Sequence, residues 1–207
     1  MLVDLSVKEL LDKTASGEPL PGGGSMSAMT AAAAAALVQM VAGLTVGRKK
    51  FAAVEEEMTR VAQSAADLRA DLTADVERDA EAYNQVLQAF RSPKETEAQK
   101  AERRQAIQAG YAAAAAIPLQ VAERALQVMT LAEQAVTLGN PNAVTDGIVG
   151  VLLARSAALG ALYNVRINLA AIADSAWVAQ QRERVEHLER EVKATERRIL
   201  DRVTLDP

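Results

Sequence analysis

FAAVEEEMTRVAQSAADLRADLTADVERDAEAYNQVLQAF, residues 51–90, decides the architecture. Phe51, Val54, Met58, Val61, Ala65, Leu68 and Leu72 recur at alternating steps of three and four, and the same register runs on through Asp75, Asp79, Ala82, Val86 and Ala89. This is a heptad-like seam of about forty residues, roughly 60 Å of helix. Seams of this kind pack in bundles, and long ones extend into a partner chain.

The flanking segments repeat the helical pattern. Ser6-Val7-Lys8-Glu9 is a capping box that opens a short helix, which Gly17 ends. Leu20-Pro21-Gly22-Gly23-Gly24-Ser25 leads into an alanine-rich stretch, with Ser25 placed to cap a second helix reaching about Val46. Gly47-Arg48-Lys49-Lys50 interrupts before the seam. Beyond it, Ser92, Pro93 and Glu95 read as the next helix start, Pro118 as a break or kink, and Gly139-Asn140-Pro141-Asn142 as a stop. A helix then spans about Ala143 to Ala173, and Val185, Leu188, Val192, Ile199 and Val203 form the apolar stripe of a charged last helix on the outside of the bundle or against another subunit. Hardly any segment alternates with period two. The expectation is an all-α, multi-helix bundle with long helices, one domain over residues 1–207, dimerising through helix packing.

Composition narrows the function. Half the 207 residues are hydrophobic but only 3% are aromatic, so the interior is filled by close helix contacts. The net charge is −4 and no basic tract is sustained, which argues against nucleic acid. The absence of Cys excludes disulfides and thiolate chemistry and fits a cytoplasmic location. With one histidine, His187, no metal site is expected. Met26 to Val46 has the length of a membrane span, but it is rich in alanine, with Ser27, Thr30, Gln39 and Thr45, and reads as the central helix of a soluble bundle.

Polar residues on apolar faces mark the candidate site. Asp79 and Asp75 lie on the seam, where a carboxylate loses several kcal/mol of hydration unless paired. Either the stripe meets solvent or an arginine there, or a polar pocket is cut into the bundle, with Tyr83 one turn on as its wall. On the helix after Gly139, Asp146, Gly150, Ala157, Gly160, Asn164 and Asn168 share one face. Asp146 and Asn164 are about 27 Å apart along a straight helix, so they serve opposite ends of a long ligand or meet across two subunits. Asp146 is equally well explained as a first-turn acid. Lys49 and Lys50 suit a carboxylate tail or a solvated helix end, and Arg166 is lone and near both asparagines. Trp177 reads as a plug in a linker.

Taken in order, Pro21-Gly22-Gly23-Gly24-Ser25, Met40 to Lys50, Asp79-Ala80-Glu81-Ala82-Tyr83, Ile117-Pro118-Leu119, Gly139-Asn140, Thr145-Asp146 and Gly160 to Asn168 resemble the cyclodeaminase/cyclohydrolase family. The resemblance covers roughly residues 5 to 200. It implies a helical homodimer that binds a tetrahydrofolate derivative as substrate near the subunit contact, without a tightly bound cofactor, a metal or a membrane. By position it implies Asp79, Asp146 and Asn164 as catalytic residues, with Pro21, Gly22, Gly23, Gly24, Ser25, Lys49, Lys50, Tyr83 and Asn168 binding the folate. The acid that some relatives carry two residues before Asp79 corresponds to Glu77, nearly opposite on the helix. Free-standing length favours hydrolysis of 5,10-methenyltetrahydrofolate to the 10-formyl product; the ammonia-releasing cyclodeaminase reaction and a non-catalytic helical or folate-binding protein are the alternatives.

Overall fold

The computed structural model describes residues 1–203, in which six α-helices account for most of the chain. They are α1 (Val7–Ala15), α2 (Gly23–Gly43), α3 (Glu55–Arg91), α4 (Glu97–Leu138), α5 (Val144–Leu169) and α6 (Ser175–Leu200). Short 3₁₀ turns at Leu2–Asp4, Lys49–Val54 and Pro141–Ala143 join or precede them.

α2 is the central helix, against α3, α4 and α5. Its alanines make this possible: Ala28, Ala31, Ala34 and Ala35 are wholly buried, and side chains that small let neighbouring backbones come close. Gly150 of α5 packs against Ala34 and Val38, where an added Cβ would be in contact at 3.5 Å. The seam on α3 is buried as expected at Met58, Val61, Ala65, Leu72, Ala82, Val86 and Ala89. α6 packs outside through Val178, Val185, Val192 and Ile199. Its charged flanks are tied down by Arg155–Glu196, Arg184–Glu123 and Arg198–Glu133 ion pairs.

Several boundaries differ from the sequence expectation. α2 begins at Gly23 with Gly22 as its cap, so Ser25 lies inside the first turn and its hydroxyl is free for another task. Phe51 belongs to the 3₁₀ turn, and α3 starts at Glu55. Ser92 ends α3 instead of starting α4: the following proline favours an extended conformation there, and Thr96 with Gln99 forms the capping box one turn later. α5 stops at Leu169, and Trp177 lies in the first turn of α6, not in a linker. α4 runs through Pro118 unbroken, because Ala114 O, the carbonyl that loses its intrahelical donor, accepts from Asn168 on α5.

α2 and the helical stretch Pro141–Leu169 are long and apolar enough to cross a membrane, yet about half of each is buried within the bundle. Midway along α5, Arg155 is paired to Glu196, and the start of α2 meets Asp79; both belong to a helical core. The unburied side of the pair is apolar, carrying Met40 from α2, Leu44 just after it, and Val149, Leu152, Tyr163 and Ile167 from α5. Tyr163 is 68% exposed and Ile167 70%.

Candidate active site

The two seam carboxylates meet different fates. Asp75 is wholly buried; Arg78 donates to its Oδ1 at 2.6 Å and Arg124 to its Oδ2 at 2.5 Å. Burial pushes its carboxyl up against the pull of the two guanidiniums. Asp75 is therefore the structural case foreseen for this seam, a charge answered by arginines. Asp79, one turn on, has no ion pair among the described residues and is only partly buried.

Asp79 instead lies against the N-terminus of α2. Ser25 Oγ donates to its Oδ2 at 2.9 Å, and the Ser25 N–H also favours the charged form. The first intrahelical bond of α2 is from Met26 N–H to Gly22 O, so the N–H groups of Gly23, Gly24 and Ser25 have no partner within the helix. Burial nevertheless outweighs these contacts, helped by the charge of Asp75, and holds the Asp79 carboxyl above its usual value of 3.8. An elevated carboxylate pKa suits a group that must both take and return a proton.

Glycine is required for this approach. A Cβ on Gly24 would lie 2.5 Å from Asp79 Cγ and 2.6 Å from Oδ2, with Oδ1 closer still. A Cβ on Gly23 would crowd Asn164 Nδ2 at 3.2 Å. Gly160 on α5 likewise leaves room for Ser27, whose hydroxyl donates to Gly23 O at 2.7 Å.

Asp79 opens on a cavity of about 330 Å³. Gly22, Gly23 and Gly24 line it from the start of α2, Tyr83 from α3, and Asn164 and Asn168 from α5. Pro19, Leu20 and Ala114 complete the walls; no pattern in the sequence had marked Pro19 or Ala114. No Lys or Arg lines it, so the field at Asp79 suits a cationic or N–H-rich ligand.

Of the other expected residues, Pro21 and Ser25 are buried and outside the lining, and three lie elsewhere. Asp146 is at the far end of α5 from Asn164, about 27 Å away at helical rise. Lys49 and Lys50 are exposed at that same end, where the Asn140 N–H donates to Thr45 Oγ1. Arg166 is not lone: it pairs with Glu189 and stacks over Tyr163, outside the cavity. Glu77 faces away from the cavity and accepts from the Val3 N–H at 3.0 Å. His187 is exposed. No group of three or more acidic, His or Cys side chains suited to a metal occurs among the described residues.

Comparison with known proteins adds kinship to this geometry. The sequence profile of the Formiminotransferase-cyclodeaminase family matches residues 6–187. Methenyltetrahydrofolate cyclohydrolase of Methylorubrum extorquens is 35% identical over 96% of this chain and 95% of its own length. Formimidoyltransferase-cyclodeaminase of Sus scrofa is 33% identical over 98% of this chain, which spans only 37% of that protein. The crystal structure of formiminotetrahydrofolate cyclodeaminase from Thermotoga maritima superposes with a TM-score of 0.87 at 28% identity, over 97% of this chain and 96% of the other. That last chain is of similar length, so length does not separate the two activities.

Proposed function

Given that this chain belongs to the formiminotransferase-cyclodeaminase family, whose members process folates, we propose that it converts 5-formiminotetrahydrofolate to 5,10-methenyltetrahydrofolate and ammonia. Asp79 carries this reading: it is a carboxylate with a raised pKa and no cationic partner, held at a helix N-terminus beside the cavity. N10 attacks the formimino carbon, and Asp79 takes the N10 proton. That attack closes the ring, and the protonated Asp79 then returns the proton to the amino group, which leaves as ammonia as the methenyl C=N bond forms. One carboxyl group serves both transfers, so the second acid need not be near. Charge is conserved, because the protonated formimino group and the methenyl product are both cations, and the cation-free wall favours both.

Hydrolysis of 5,10-methenyltetrahydrofolate is the second reading, favoured by the nearly full-length similarity to the Methylorubrum protein. In it Asp79 takes a proton from the attacking water, and N5 leaves and is protonated. Asn164 orients the water or the pterin, and Tyr83 walls the ring.

We further assign the apolar face of α2 and α5 to a second copy of the chain. A two-fold axis across the middle of α5 sets Tyr163 and Ile167 against the partner's Val149 and Leu152. It also brings the partner's Asp146, Lys49 and Lys50 towards the cavity, where the lysines meet the glutamyl tail. The deciding experiment supplies each substrate in turn. Ammonia release with a rise in methenyl absorbance from the formimino compound supports the first reading. Accelerated loss of methenyl absorbance alone supports the second, and neither signal refutes both.

A further inference from the structure

Pro118, Asn168 and Asn164 form a device that proton transfer does not use. A proline inside a helix offers no N–H to the carbonyl four residues back, here Ala114 O. Asn168 replaces that donor: its Nδ2 donates to Ala114 O at 2.9 Å and to Asn164 O at 2.9 Å. The Asn164 amide is committed in the same way, donating from Nδ2 to Gly160 O at 2.9 Å. A carbonyl oxygen accepts only from a donor, so these contacts fix which end of each amide is nitrogen.

Both amide oxygens remain unengaged. Every buried side-chain nitrogen or oxygen among the described residues has a hydrogen-bond partner. The two Oδ1 atoms have none and so are open, and both residues line the cavity beside Asp79. A ligand carbonyl on this wall meets two like dipoles; a ligand N–H meets two acceptors one helical turn apart.

We propose that this wall recognises the N–H edge of the ligand's heterocycle through Asn164 Oδ1 and Asn168 Oδ1, with Pro118 as the positioning residue that keeps Asn168 turned that way. The proposal rests on the folate reading and specifies it: the amide N–H and exocyclic amine of the pterin face α5. Restoring an N–H at position 118 gives Ala114 O its intrahelical donor, which competes with Asn168 for that carbonyl and leaves the Asn168 amide held only by Asn164 O.

The test is calorimetric binding of two ligands, tetrahydrofolate and its 2-desamino-2-methyl analogue, to the full chain. Wild type is expected to prefer tetrahydrofolate by about tenfold, the usual effect of one hydrogen bond. Pro118→Ala and Asn168→Leu are each expected to reduce that preference to less than threefold, and combining them is expected to reduce it no further. In turnover, Pro118→Ala raises KM several-fold and leaves kcat unchanged. A merely structural role for Pro118 would change stability and leave the ligand ratio alone. Should Asn168→Leu fail to fold, the wild-type ratio and Pro118→Ala still decide. Equal binding of the two ligands by wild type, or an unchanged ratio in Pro118→Ala, overturns this inference and leaves the folate reading standing. Failure of wild type to bind either ligand overturns both.

Discussion

Replacing Gly24 with alanine puts a methyl group where the Asp79 carboxylate sits. The added carbon would be 2.5 Å from Asp79 Cγ and 2.6 Å from Oδ2, well inside van der Waals contact. The obstructing atoms are the end of a side chain, so the carboxylate swings aside and the helices need not separate. That movement breaks the 2.9 Å bond from Ser25 Oγ, a hydrogen bond to a charged group worth about 1.5–3 kcal/mol. Alanine in the first turn returns about 0.5–1 kcal/mol through its helix preference. The net loss is roughly 1–2 kcal/mol, or about 2–8 °C in Tm for a domain of this size. Activity falls far more, by about 10²–10⁴, because the acid–base group has left its place. Gly43→Ala in the same helix is the control, since its added carbon meets nothing within 4 Å. Turnover assays beside thermal unfolding decide: Gly24→Ala is expected to be folded and nearly inactive, and Gly43→Ala folded and active. Turnover by Gly24→Ala within threefold of wild type would refute the reasoning.

Other variants separate structural from chemical roles. Burial raises the Asp79 pKa above 3.8, so its contribution to stability is full below the unfolded value and is lost as pH rises through the folded one. Asp79→Asn is thus expected to melt above wild type at pH 7, with the difference vanishing in acid below 3.8; thermal unfolding across pH checks this. Arg124→Ala leaves the wholly buried Asp75 with Arg78 as its one partner, at a cost of about 3–5 kcal/mol or roughly 10 °C. Adding Asp75→Asn is expected to recover most of that loss in the same melt. Tyr163→Asp with Ile167→Asp on the exposed face of α5 is expected to yield a monomer by sedimentation equilibrium and wild type a dimer.

The helical class was legible because the α3 seam keeps its register over ten turns, and side-chain period survives any error in helix ends. Sequence alone did not divide Asp75 from Asp79. They share a stripe, and only the crossing of α4 brings Arg124 to one and not to the other. Ser25 was noticed for the wrong task, since one residue type both caps helices and donates to carboxylates across them. The role of Asn168 was hidden for a similar reason: the unfilled carbonyl at Ala114 is apparent from Pro118, but its new donor is 54 residues away. Asp146, Lys49 and Lys50 lie at the other end of the bundle, because eighteen residues of straight helix separate Asp146 from Asn164.

The most direct test of the central claim is the single-turnover rate of Asp79→Asn with 5-formiminotetrahydrofolate bound at saturation. Asparagine keeps an acceptor for the Ser25 hydroxyl and cannot carry the proton. The expected result is binding within a few-fold of wild type and ring closure slowed at least about 100-fold. Ring closure at the wild-type rate would contradict the assignment of Asp79 as the group that moves the proton.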